Sequence, residues 1–299
     1  MNVTDLQEAK QLLDQMRQDS QKFTTTGFQS LDAMMGGLLK GGLTLIGSRP
    51  AMGGTALALN IASNLSQQQS GTILVISRYT NYRDMASRLL TIGLNLEPNQ
   101  LLDGKMSSYE REWRCSDFFY SQKGNIKIEW DSFLSLNDIQ NFCDRVPELK
   151  LVIIDDLEYI CQPIDFFAES VSWNPPHESA DKILKFLKNL ASTYDIPVIG
   201  TVRVSRNVER RKNKRPQLPD LKKFDASDEA VDQVIFPYRH RYYCVNTTEM
   251  AEIIVAKNNH GKTGMVELGW NRLTGRFYEM TDESPRENNG RRIVFSSDS

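Results

Sequence analysis

At 299 residues, 40% hydrophobic and 25% charged, the chain has room for one large α/β domain or two small ones and the composition of an ordinary globular protein. Its 36 basic and 38 acidic residues leave a net charge of −2, which excludes a global attraction to nucleic acid and confines any such binding to a local patch. No run approaches the roughly 18 apolar residues of a membrane span, and MNVTDLQEAK lacks the basic-then-apolar order of a signal peptide, so a cytoplasmic chain without membrane contact is expected.

In chain order, Val3, Leu6, Ala9, Leu13 and Met16 recur at helical spacing among polar residues, which predicts an amphipathic helix over 4–20 with Thr4 as N-cap. Its stripe must dock, either on the chain's own core or on a neighbouring subunit, so residues 1–21 read as a linker or docking helix. Residues 22–280 read as the folded domain. The tail 281–299, rich in Asp, Glu, Arg, Asn and Ser, is expected to be disordered.

Within the domain, strands are predicted at Leu43–Ile46, Thr72–Ile76, Ile126–Glu129, Leu151–Ile154, Val198–Thr201, Gln233–Phe236 and Glu252–Ala256. Helices are predicted at Gly54–Ser66, Tyr82–Ile92, Leu136–Arg145 and Ser179–Thr193. Short, nearly all-apolar strands alternating with helices specify an α/β fold with a mostly parallel central sheet covered on both faces. Cys115, Cys143, Cys161 and Cys244 form no C-x-x-C pair, and His177, His240 and His260 are scattered; buried reduced thiols and no zinc site are expected.

Between the first long strand and its helix lies GSRPAMGGT, Gly47 to Thr55, which has the order of a phosphate-binding loop. Such a loop surrounds phosphates with backbone N–H groups at a helix N-terminus, while a lysine reaches the β/γ-phosphates and a Ser or Thr hydroxyl joins Mg²⁺. Ser48, Arg49, Pro50, Ala51, Met52, Gly53, Gly54, Thr55 and Ala56 are the candidate nucleotide-binding residues. Thr55 supplies the hydroxyl, but Gly54 stands at the lysine's position and Ser48 at the first glycine's. The alternative is a Gly-rich turn that binds nothing. A second apolar strand ends in Asp155, which places a carboxylate at the sheet's C-terminal edge, where ligands bind in open α/β sheets; with Thr55 it forms the candidate magnesium pair.

Taken together, TTGFQSLDAMMGGLLKGGLTLIGSRPAMGGTALALNIA, LVIIDDLEYI, IPVIGTVRVSRNVERRKNKRPQLPDL and AEIIVAKNNHGKTGMVELGWNRLTGRF resemble the C-terminal RecA-like ATPase domain of the replicative DnaB-type hexameric DNA helicases. The resemblance covers about residues 22–280 and implies a P-loop NTPase fold, ATP and Mg²⁺ as cofactors, and single-stranded DNA, a homo-oligomer or an active DnaB-type helicase as partners. It also shows what has changed. Where that family has ARPSMGKTA, this chain has Gly54 for lysine. Tyr79 falls on the glutamate of SLEM, Arg203 on the glutamine of SQLNR, and Asn259 on the arginine finger of KQRNGPTG.

A lost phosphate contact costs on the order of 1.5–3 kcal/mol, so nucleotide binding can survive it. A lost general base costs about 10²–10⁴ in rate and a lost arginine finger about 10³–10⁵, so little or no ATPase activity is expected. Tyr79 does not substitute, because a phenol is a poor base at neutral pH. Relocated groups among Arg49, Lys262, Asp156 and Glu158 define the alternative of an active ATP-dependent helicase; a nucleotide-independent scaffold is the third reading.

Arg206 to Arg215 carries six basic residues in ten. Such a run is either a solvated loop or a phosphate-binding surface. The resemblance places it, with Arg203, Lys222 and Lys223, toward the helicases' central channel, so Arg203, Arg206, Arg210, Arg211, Lys222 and Lys223 are the candidate DNA-binding residues. Tyr238, Arg239, His240, Arg241, Tyr242 and Tyr243 are candidates for stacking, or else for core and rim.

Overall fold

A nine-stranded sheet in the order β11-β10-β9-β8-β3-β7-β6-β4-β5 organises the chain. A computed structural model provides this architecture and describes residues 22–102, 107–132, 134–160, 179–221, 224, 229–244 and 249–280. The anticipated helix 4–20, the tail 281–299, Cys161, His177, Lys222 and Lys223 lie outside the described residues.

The elements run β1 (Phe23–Thr24), α1 (Gln29–Met35), β2 (Leu38–Leu39), β3 (Leu43–Ser48), α2 (Gly54–Gln68), β4 (Thr72–Ser77) and α3 (Tyr82–Leu94). Then come α4 (Pro98–Leu102), α5 (Ser108–Ser121), β5 (Asn125–Trp130), α6 (Leu136–Asp144), β6 (Leu149–Asp155), α7 (Ala180–Tyr194) and β7 (Val198–Arg203). The chain closes with β8 (Gln233–Tyr238), β9 (Met250–Asn258), β10 (Gly264–Asn271) and β11 (Arg276–Tyr278). β8, β3, β7, β6, β4 and β5 are parallel, and β9, β10 and β11 extend the sheet antiparallel from β8.

The two-residue period of the strands sends alternate side chains to opposite faces. Leu74, Ile76, Val152 and Ile154 meet α6 and α7 through Ile139, Leu184 and Leu187. Ile73, Val75, Leu151 and Ile153 meet α1, α2 and α3 through Leu31, Leu57, Ile61 and Leu89. Both faces being covered explains why the parallel strands are continuous apolar runs rather than alternating ones. Every strand and helix predicted within the described residues is present, with no end shifted by more than two residues. The antiparallel β10 and β11 and the helices α1, α4 and α5 are additional.

Cys143 is buried, and burial above all pushes its thiol up to about 12. Cys115 is half-buried and Cys244 is exposed, which corrects the expectation of buried thiols: Cys244 sits on the polar run that follows β8, where no apolar layer covers it. No described helix is long and apolar enough to cross a membrane.

Candidate nucleotide site

The parallel order places three strand ends side by side. β3 ends in the loop, β7 lies beside it, and β6 lies beyond β7, so the C-terminal edge gathers Ser48, Thr201, Arg203 and Asp155 around the start of α2. Residues 48–51, 53–56, Tyr79, Thr80, Arg88, Asp155, Asp156, Thr201, Val202, Arg203, Arg239, Trp270 and Arg272 line one cleft of about 570 Å³, a volume suited to a nucleotide-sized ligand.

The loop has the backbone of an anion cradle. Ala51 and Gly53 both take left-handed conformations, with φ of +65° and +99°. At Gly53 the glycine is required, since an added Cβ would also lie 3.0 Å from the Phe277 ring. The N–H groups of the first turn of α2 have no intrahelical acceptor and the helix dipole is positive there, so an anion is the natural occupant. Met52, almost wholly buried, is the one candidate loop residue that does not line the cleft.

Beside the cradle, the Thr55 hydroxyl donates to Asp155 Oδ1 at 2.8 Å and the Thr201 hydroxyl donates to the same oxygen at 2.8 Å. Thr201 Oγ1 in turn accepts the Asp156 N–H at 2.7 Å. The candidate magnesium pair is therefore in direct contact, and its hard oxygen donors fit that ion. Burial, reinforced by the neighbouring Asp156, raises the Asp155 pKa above the usual carboxylate range, against the hydrogen bonds from Thr55 and Thr201 and the charge of Arg88. Because folding then favours the protonated form, Asp155 contributes most at low pH, and that contribution is lost as pH rises through its folded pKa. An Asp155→Asn chain without nucleotide should thus melt higher at neutral pH, by on the order of 1 kcal/mol or about 2–4 °C, with the gain shrinking in acid. Thermal scans from pH 4 to 8 check this; an unchanged or lower melting point at pH 7 contradicts it.

The position expected to carry a glutamate holds an aromatic stack. Tyr79, 67% exposed, lies on Tyr159 with ring centroids 5.1 Å apart and 17° between planes. The Arg203 guanidinium stands 4.8 Å from the Tyr159 ring and 5.8 Å from Tyr79, while pairing with both Asp156 oxygens at 3.3 Å. The Glu158 carboxylate accepts the Arg203 N–H, and burial raises its pKa despite that bond. Three suggested replacement groups are thus engaged inside the protein: Glu158 by the Arg203 N–H, Asp156 by the Arg203 guanidinium, and Arg49 by Glu209 at 3.1 Å and the Val204 carbonyl at 3.2 Å. Asn259 is exposed on the β9–β10 turn, and neither it nor Lys262 lines the cleft.

Five arginines, at 49, 88, 203, 239 and 272, face two carboxylates across the cleft, so its field favours an anion. Of the stacking candidates, Tyr238 is buried and Tyr242 is exposed. Arg239 reaches the nucleotide loop instead, donating to the Ala51 carbonyl at 2.7 Å with its guanidinium 4.8 Å from the Trp270 ring, and burial lowers its pKa. Thr201, Arg88, Trp270 and Arg272 escaped the sequence reading because they come from β7, α3 and the end of β10, far apart in the chain. Arg239, read there as a stacking candidate, directly follows β8, which the fold sets next to β3.

The basic run is folded rather than a loose loop. Arg211 is held by Asp220 at 2.6 Å, Arg215 by both oxygens of Glu252 at 2.5 Å, and Lys214 by the Glu209 carbonyl at 2.6 Å. Arg206, Arg210 and Lys212 are the exposed cations of the run. Glu209 joins this loop to the nucleotide loop through Arg49, and also accepts the Tyr243 hydroxyl at 3.0 Å. Among the described residues no group of three or more His, Cys, Asp or Glu side chains is arranged to hold a metal ion.

With this geometry in place, comparison with known proteins assigns the family. The model of the DnaB-like helicase C-terminal domain matches residues 24–279. The chain is 29% identical over 262 residues to the replicative DNA helicase DnaB of Geobacillus stearothermophilus, covering 85% of this chain and 56% of that protein. It is 28% identical over 268 residues to the DnaB of Haemophilus influenzae, covering 87% and 56%. A solved DnaB-like replicative helicase, studied with primase, superposes with a TM-score of 0.73 at 26% identity over 92% of this chain and 66% of that one. A solved ATPase domain gives a TM-score of 0.73 at 25% identity, covering 92% of this chain and 99% of the domain. The chain spans about half the length of the curated relatives it matches. By its fold, its strand-end site and these matches, the chain belongs to the DnaB-like helicase C-terminal domain family.

Proposed function

We propose that this domain binds nucleotide and single-stranded DNA without turning nucleotide over efficiently, and acts in DNA replication as a binding or helicase-regulating subunit. The observation that carries this reading is the stack of Tyr79, Tyr159 and Arg203 where a base would act. The cradle, by contrast, keeps its backbone form and its Thr55–Asp155 pair. The cradle and the magnesium pair persist, while the loop lysine and the chemical groups do not. When bound, Mg²⁺ neutralises phosphate charge, and Thr55 and Asp155 are the residues that would hold it. Calorimetric titration of Mg-ATP into the chain and into Asp155→Ala tests the binding half: saturable binding that the substitution abolishes supports it.

Arg206, Arg210 and Lys212 offer exposed cations for DNA phosphates, with Arg203, Arg211, Lys222 and Lys223 as the remaining candidates. The Arg49–Glu209 pair supplies a physical link between that surface and the nucleotide loop. The competing reading, an active motor with relocated groups, draws on Asp156 and the five arginines that line the cleft.

Assembly into oligomers belongs to the same proposal. Helix α5 buries none of its described side chains fully and presents Tyr109, Trp113 and Tyr120 in a row, at 78%, 58% and 90% exposure. The apolar stripe of residues 1–20 in a second copy suits such a face. Deleting residues 1–20 should therefore shift the mass in light scattering to that of a monomer. An unchanged mass, or a full chain that is already monomeric, contradicts this.

A further inference from the structure

The loop departs from the phosphate-binding pattern twice, at Ser48 and at Gly54, and the two departures meet in space. A Cβ added to Gly54 would lie 2.3 Å from Ser48 Oγ and 3.0 Å from Ser48 Cβ. Backbone conformation does not require glycine there, because Gly54 opens α2 and, unlike Gly53, is absent from the positive-φ residues. Space does. Ser48 cannot retreat, since it is the last residue of β3, is paired in register with Arg203, and its carbonyl accepts the Val204 N–H at 2.9 Å. Only rotation of the hydroxyl is available, and that leaves the Cβ contact at the limit of tolerance.

We infer that Ser48 and Gly54 are one coupled replacement: the Ser48 hydroxyl fills the volume from which a side chain at 54 would rise and serves as the loop's neutral phosphate donor. The consequence is a site that holds a nucleoside diphosphate about as tightly as a triphosphate. This deepens the nucleotide reading above and rests on it. A loop lysine contacts the β- and γ-phosphates, so it gives the triphosphate an added attraction that a hydroxyl at the base of the loop does not. Four of the five cleft arginines do not replace it. Arg49 is committed to Glu209, Arg203 to Asp156 and Arg239 to the Ala51 carbonyl, while Arg88 faces Asp155.

The test is a double-mutant cycle on the full chain: the parent, Ser48→Ala, Gly54→Lys and the pair, each followed by thermal melting and by calorimetry with Mg-ADP and Mg-ATP. The parent should bind the two nucleotides within about threefold of each other, and Ser48→Ala should weaken both several-fold. Gly54→Lys alone should melt lower and gain no ATP affinity. The pair should regain the parent's melting point and bind ATP roughly ten- to hundredfold tighter than the parent does. Gly54→Lys alone melting like the parent and gaining the full ATP affinity would overturn the inference, as would Ser48→Ala binding both nucleotides like the parent. If no variant binds nucleotide while the melting points remain non-additive, the nucleotide reading falls and takes the donor role with it, whereas the steric coupling stands on the melting data alone.

Discussion

Phosphate release by the purified chain in Mg-ATP should stay at background, with single-stranded DNA or without it. A missing general base costs about 10²–10⁴ in rate and a missing arginine finger about 10³–10⁵, and although such factors do not add, either alone takes turnover far below a working motor. The structure sharpens the expectation. Tyr79, which the resemblance aligns with the family's glutamate, is stacked on Tyr159 with the Arg203 guanidinium 5.8 Å from its ring, so a phenol in an organised contact stands at that position. Substituting Tyr79→Glu should not restore turnover on its own, because Arg203 is close enough to pair with the new carboxylate and Gly54 and Asn259 remain unchanged. DNA-stimulated release near about 1 s⁻¹, within the ordinary enzyme range, that vanishes in Asp155→Ala would establish the motor reading instead.

Binding to single-stranded DNA should be weak, indifferent to sequence and steeply dependent on salt. The chain carries a net charge of −2, so attraction must come from a local set of cations. Each phosphate neutralised on a single strand contributes about −0.7 to the slope of log affinity against log salt, and four contacts give roughly −3. Between 50 and 200 mM salt that amounts to a loss of roughly fifty- to hundredfold. Arg206→Glu with Arg210→Glu is the informative variant, because both side chains are exposed, whereas Arg211 braces its loop through Asp220 and Arg215 through Glu252. The double variant should lose binding with its circular dichroism spectrum unchanged. Affinity that survives it, or that ignores salt, supports a scaffold.

The parallel strands were legible because burial on both faces leaves a run with little polar interruption, as in Leu151 to Ile154. Helix α5 was not, since SYEREWRCSDFFYS is polar overall and none of its described residues is fully buried. The antiparallel strands β10 and β11 escape for a related reason: their order comes from pairing and from Trp270 and Phe277 packing together, not from a run of apolar residues. In the site, Thr55 and Asp155 were readable because each stands at a strand or helix end with a motif around it. Thr201 was not, because a threonine in an apolar strand carries no signal until β7 is known to lie between β3 and β6. The same holds for Ser48 and Gly54, which sequence shows as two unrelated departures and only the fold brings together, so that a Cβ at 54 would lie 2.3 Å from Ser48 Oγ.

One measurement bears most directly on binding without turnover. The chain is incubated with Mg-ATP for an hour, separated from free nucleotide by rapid gel filtration, denatured, and its bound nucleotide resolved by chromatography. One intact ATP per chain, absent from Asp155→Ala, is the predicted result. Recovery of ADP in proportion to the time of incubation would contradict it.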